Sequence, residues 1–566
     1  MAKFNREKVL RQLEFKRKWR SYSRYVYIAV PCVLCCLLCL YFAYSKFFVS
    51  EEQAVIRSTV GDFIHGDVVI GAYIDGEYSS TIPGKNDGYV VDKVSCDNGA
   101  VGEWNNDDWG LLTTNLSKRT KCNVYFKKVV SKVSDIIAQL DTTGKCPTMN
   151  ADGSVNVTGV EATNGYLCKA KDAYGDSYYY RGNVTNNYVK FADKYWRIVR
   201  INGDGTVRVI YDGTSAHANG ESSEDRQIGT SAFNSYWKKD NIQESTSSYI
   251  YYDNAGVGYM YGNRDGIIEP STQYSTSSYT NTNTYYIAKE YTYNASTDRF
   301  TLKDPIAVLG SAMTSDYVGY YTFNRTSSSG SYQYVYKITS VTAGSSSARV
   351  GYKYVTYGTT SKEKAQTNTN DSTIKAYLDN WYKTNIVGTT NEQYLADNVF
   401  CNDRSISTGT PSGYSNLGYG TERTAYRWYN SPWESESYSK YNNKMMLTCP
   451  QQNDAFTVSD TSKGNGALTY PIGLLSTDEI VLAGGWSASN SGYYLYSGQW
   501  WWASSPGYFL GVYASVRFVY SDGNADNVDF VDNDVFGVRP VFNLKAEVLK
   551  YGDGTASNPY RLTLNN

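Results

Sequence analysis

Four aspartates, Asp526, Asp529, Asp532 and Asp534, fall within nine residues near the C-terminus. Carboxylates that close could supply the acid and partner carboxylate of a glycoside hydrolase, or oxygen ligands for calcium. Turns use the same residues, and Ser521-Asp522-Gly523-Asn524 and Asp532-Asn533-Asp534 both carry turn chemistry. Asn202-Gly203-Asp204-Gly205 reads the same way, with a tight turn as the simpler account. Other chemistries lack their parts. There are only two histidines, His65 and His217, and His217 lies in a TSAHANG loop with no evident partner. No G-x-S-x-G, H-E-x-x-H or phosphate-binding loop occurs, and no C-x-x-C lies outside residues 32–39. No catalytic residue, metal or cofactor is assigned.

The aspartates sit inside a longer stretch, Gln499 to Leu544, which opens on three tryptophans and closes on Gly537-Val538-Arg539-Pro540-Val541. Its ends are apolar and its middle is polar and studded with aromatics. This pattern predicts a small antiparallel sheet whose frame is Trp501, Trp502, Pro506, Gly537 and Arg539, helped by Trp196 and Trp381. The residues between are expected to form an exposed ligand-binding surface: Tyr508, Phe509, Tyr513, Arg517, Asn524, Asp526, Asp529, Phe530 and Asn533. Tyr, Asn, Asp, Ser and Gly together give rigid contacts and adaptable hydrogen bonds.

Ten of the 54 Lys and Arg lie in the first 50 residues, against two of the 55 Asp and Glu, so residues 51–566 carry a net charge of about −9. Such a body is a poor binder of nucleic acid. Residues 25–45 hold a charge-free run long enough to cross a bilayer as a helix, and nine basic residues precede it. They are expected to be a transmembrane signal anchor, with residues 1–24 as a basic cytoplasmic tail and everything beyond a 46–66 stalk outside the cell. The expected localisation is a single-pass protein of the cell membrane.

The remaining chain divides by pattern. VVIGAYI, Asp75-Gly76 and the strands that follow predict a small all-β module over 67–127, with an immunoglobulin-like sandwich as one arrangement. KVVSKVSDIIAQLD predicts a spacer helix over 128–145. A large domain follows over 146–566, with a long insertion at about 240–370. Its strongest hairpin is YWRIVRINGDG returning as TVRVIYDG. Asp371 or Ser372 caps a helix with Ile374, Leu378 and Trp381 on one face, and Ser476-Thr-Asp-Glu479 forms a capping box for another. Six cysteines outside the apolar run allow 15 pairings. Neighbour pairing is expected, as Cys96–Cys122, Cys146–Cys168 and Cys401–Cys449.

The order of the tryptophan hairpin, the two helices, WWWASSPG and GVRPVFNL resembles surface proteins of gut bacteria. Their C-terminal domain is similar to the C-type-lectin-like fold of formylglycine-generating enzymes and of the variable proteins of diversity-generating retroelements. The resemblance covers roughly residues 165–545. Together with the readings above, the expected class is α+β: a transmembrane helix, a small β module, then, as the resemblance implies, a C-type-lectin-like domain with an insertion. The resemblance also implies an adhesin- or receptor-like role toward an unidentified extracellular protein or glycan, through a final sheet open to diversification. Ala503 to Leu544 lacks Lys, Glu, Gln, Met and Trp, the residues that adenine-directed change of Asn codons cannot produce. The alternatives are a surface enzyme acting on glycans with paired carboxylates, or a divergent oxidase of the same fold. The oxidase's cysteine pair has no match, because Cys401 and Cys449 lie upstream of the final sheet.

Overall fold

The computed structural model describes residues 11, 14–18, 57–58 and most of 68–563. Within that last span it leaves out 85–88, 106–107, 116–119, 129–130, 161, 236–252, 270–274, 327–329, 408–417, 420–422, 429–443, 486–488 and 511–512. The chain forms two compact units, Met1–Val130 and Ser131–Asn566.

Strand outweighs helix, 40% against 13%, so the chain is mostly β and the α+β expectation is corrected. The Tyr-, Ser-, Thr- and Val-rich segments between 165 and 360 form strands, where side chains standing on a pleated surface pack well. The expected anchor at residues 25–45 lies outside the described residues, as does most of the 46–66 stalk. Among the described residues no helix is long and apolar enough to cross a membrane. The single-pass membrane assignment rested on that anchor, and no described helix supports it.

In the smaller unit, Val68–Ile74 lies between Glu77–Ser79 and Thr120–Lys128, and Tyr89–Cys96 forms the far edge. Val68–Ile74 runs parallel to Thr120–Lys128, and Cys96–Cys122 links directly paired residues of adjacent strands. In an immunoglobulin sandwich the disulfide joins two sheets, so that arrangement does not describe this unit. Trp109, Leu111, Val124 and Phe126 fill its core.

The larger unit begins with a short helix, Val133–Ile137, in place of a spacer spanning 128–145. Only Ile136 of it is buried, too little apolar face to support more turns. Its main sheet is antiparallel, with strands β1 (Tyr166–Asp172), β2 (Gly175–Arg181), β3 (Lys194–Ile201) and β4 (Val207–Gly213) in order, then Val541–Leu544 beside β4. Cys146–Cys168 ties the entry loop to β1. Residues 266–358 build a seven-stranded sheet with cores of their own. The long hairpin of that sheet is β5 (Tyr334–Thr342) and β6 (Ser347–Gly358).

Helix α1 (Thr373–Asn385) is capped by Ser372, and it buries Ile374, Leu378 and Tyr382 while Trp381 is half-buried. Cys401–Cys449 closes the loop before α2 (Thr477–Ala483). The capping box of α2 is complete. Its Glu479 also receives Arg208 at 2.7 Å and Arg200 at 3.2 Å. Burial alone would raise that carboxyl, but the two arginines outweigh it and hold it below the usual range.

The final sheet runs β7 (Arg423–Ala425), β8 (Trp501–Leu510), β9 (Tyr513–Val519) and β10 (Asn527–Phe530), all antiparallel. Trp196, Trp501, Trp502 and Phe542 share the central core. The Trp502 indole donates to Ser231 O, and the Trp196 indole to Phe191 O. Gly537 threads between Gln227 and Trp500, where a Cβ would stand 1.8 Å from Gln227 Oε1. Arg539 is buried over the Trp501 ring.

Candidate functional site

Strand alternation decides which residues of the final sheet can reach solvent. On the core side stand Phe509, Ala514, Val516 and Phe518. On the outer side stand Tyr508, Tyr513, Ser515, Arg517, Val528 and Phe530. Much of that outer side is covered by the chain around β7. Ala425 pairs with Tyr508 and packs on it with Val528. The Trp428 ring lies 5.9 Å from the Arg517 guanidinium. Buried acids hold this cover in place: Asp478 accepts the Trp428 indole at 2.8 Å and a bond from Arg427, whose Nε also reaches Asp403 at 2.5 Å.

Three of the nine expected surface residues are therefore buried: Tyr508 at 5%, Phe509 at 2% and Arg517 at 1% exposure. Phe509 faces the core because its neighbour Tyr508 faces outward. Tyr508 and Arg517 are hidden because Ala425 packs on the first and the Trp428 ring lies against the second. The other six separate into two groups. Asn524 and Asp526 lie at the Ser521–Asn524 turn, half-buried, where Asp526 pairs with Arg517 at 2.8 Å. Tyr513, Phe530, Asp529 and Asn533 gather at the other end. There the Tyr513 and Phe530 rings stack with centroids 4.6 Å apart, 36% and 38% exposed. Asn533 donates to Asp529 at 3.4 Å. Of the frame residues, Trp196, Trp501, Trp502, Pro506, Gly537 and Arg539 are buried.

The Tyr513–Phe530 pair is joined by side chains that the sequence reading passed over. The Tyr513 hydroxyl is held above its ordinary pKa by burial first, then by neighbouring Tyr334 and Asp532. Tyr334 belongs to an aromatic cluster on one face of the β5–β6 hairpin. Its ring meets Tyr336 at 5.3 Å and Tyr354 at 5.2 Å, and Tyr336 meets Tyr354 at 4.8 Å and Tyr352 at 4.7 Å. Tyr336 and Tyr354 are direct cross-strand partners, so the rings brace one another. The signal was there as two Y-x-Y repeats at strand period, 334/336 and 352/354. Beside this cluster a groove of about 260 Å³ is lined by Phe323, Asn324, Arg325, Tyr332, Tyr334 and Tyr336.

The acids near the Tyr513 end are raised rather than lowered. Asp532 is pushed up by burial and then by Asp529 and Asp534, and Asp529 by burial against hydrogen bonds from Phe530 N and Asn533. No group of three or more His, Cys, Asp or Glu poised for a metal occurs among the described residues. A second exposed aromatic pair, Trp500 and Tyr520, stacks at 5.2 Å at the far end of the β8–β9 hairpin. Set against family models, curated proteins and solved structures, the chain matches none of them.

Proposed function

We propose that the larger unit is a non-catalytic binding module. It recognises a glycan through the aromatic surface where β9 and β10 meet the β5–β6 hairpin. The observation that carries this reading is the exposed Tyr513–Phe530 stack beside Tyr334. Rings braced by their neighbours present flat apolar faces with hydroxyls at the rim, and little conformational entropy is lost when a ligand lands on them. A sugar ring offers the matching chemistry, with C–H faces to lie on the rings and hydroxyls to reach the surrounding Tyr, Asn and Asp groups. The C-type-lectin-like resemblance belongs to this proposal, with the contact surface moved from the middle of the final sheet to its Tyr513 end.

The test is a glycan array probed with the intact chain and with a Tyr513→Ala/Phe530→Ala variant. The rings are more than a third exposed, so the variant should keep the wild-type melting temperature while array binding is lost. Truncation of aromatic anchors at an interface typically costs about 2 kcal/mol or more each. Unchanged binding by the variant, or turnover of a bound glycan, would overturn the reading. Capture of a protein partner with no glycan bound would replace it.

A further inference from the structure

The groove beside the tyrosine cluster has one charged wall, Arg325. Its guanidinium lies 4.7 Å from the centre of the Tyr332 ring and makes no hydrogen bond or ion pair among the described residues. Tyr332 is itself fixed. Its backbone bonds Phe300 in both directions, at 2.7 and 3.0 Å. Its ring packs on Phe323 at 4.6 Å. Gly330 passes against it so closely that a Cβ would stand 2.8 Å from the ring. Asn324, at a φ of 53° that Asn tolerates better than most residues, sends its amide to Ser277 and Tyr352 at 3.0 and 2.8 Å. Asn324, the residue before Arg325, is thus held in place. Lys337 on β5 is nearby in sequence to the lining tyrosines, but it is engaged with Glu269 at 2.7 Å.

We infer that this groove is the subsite for an acidic sugar, with Arg325 binding the ring-borne carboxylate and Tyr334 and Tyr336 taking the ring face. A guanidinium stacked on an aromatic ring keeps its fork of N–H donors for a planar anion, which it grips in a bidentate manner. None of the groove's lining residues is acidic, so a carboxylate entering it meets one positive charge and no negative one. This deepens the glycan reading above and rests on it, since Tyr334 lines the groove and also neighbours Tyr513. The shared chemistry is a pyranose carboxylate, whether from a hexuronate or from a sialic-acid-type end.

Titration calorimetry on the full chain tests it, with three probes: an oligohexuronate, its carboxyl-reduced neutral form, and a sialyl oligosaccharide. At least one acidic probe should bind about tenfold or more tighter than the neutral one, as expected for hydrogen bonds to a charged group. Which acidic probe wins identifies the source. Arg325→Gln should abolish that preference while leaving the melting temperature unchanged. Arg325→Lys should keep only part of it, because a lysine lacks the fork. Equal binding of acidic and neutral probes, or a preference that survives Arg325→Gln, overturns the acidic subsite and leaves the glycan reading standing. Binding of none of the three overturns both.

Discussion

Replacing Asp212 by Asn removes the carboxylate that three buried guanidiniums share. Asp212 stands near the end of β4 with no exposure, and Arg197, Arg226 and Arg539 around it are at most 1% exposed. Its Oδ1 accepts Arg226 Nε at 2.8 Å and Arg539 at 3.3 Å, and Arg197 lies 4.0 Å from Oδ2. Burial, and then the positive Arg226, push the Arg539 guanidinium down to about 9, while Asp212 pulls the other way. Removing one partner of a buried pair typically costs about 3–5 kcal/mol because the other charge stays buried and uncompensated. Here three charges lose their counter-ion together, which raises the cost. Each keeps carbonyl acceptors, which lowers it: Arg226 has Glu221 and Tyr494, Arg539 has Leu495 and Tyr211, and Arg197 has Val184. We expect Asp212→Asn to lower the unfolding free energy by about 4 kcal/mol. Guanidinium denaturation followed by far-ultraviolet circular dichroism at constant pH would measure it. A loss below about 1 kcal/mol would refute the claim that this carboxylate balances the cluster.

Three further outcomes are expected. Phe509→Ala should destabilise by roughly 3–5 kcal/mol, as should Trp501→Ala, since both rings are buried in the core; thermal melts would show it. Replacing Cys401 and Cys449 by Ser opens a loop with a sequence separation of 48. That should cost roughly 4 kcal/mol in the chain-entropy model, read as a lower denaturation midpoint under oxidising conditions. Stability should fall as pH drops from about 4 toward 2. The Asp141 carboxyl is held at about 2, by the Thr143 hydroxyl first, and Asp460 at about 2, by the Ser462 hydroxyl first. A folded pKa below the unfolded one gives stability that is complete above the unfolded value and lost as pH falls through the folded one. Asp141→Asn with Asp460→Asn should flatten that part of the urea midpoint-against-pH curve.

What could be read from the sequence was local chemistry. The Lys194–Gly213 hairpin announces itself through NGDG between alternating strands, and the Ser476–Glu479 box through spacing alone. The three cysteine pairs close between sequence neighbours. The helix after Ser372 showed its apolar stripe. What could not be read depends on contacts distant in sequence. Tyr508 and Arg517 are hidden by Ala425 and Trp428, some 80 residues earlier, and Asp403 and Asp478 fasten that cover. The tyrosine ladder of β5 and β6 was visible as two Y-x-Y repeats. Its approach to Tyr513 depends on how the 266–358 sheet is seated on the final one, and no local pattern encodes that.

The most direct test of the binding surface is a hydrogen-exchange footprint of the full chain with and without an oligosaccharide selected on the array. Protection should concentrate in peptides spanning 513–533 and 332–356. Protection confined instead to peptides carrying Trp500 and Tyr520, at the opposite end of the β8–β9 hairpin, would contradict it.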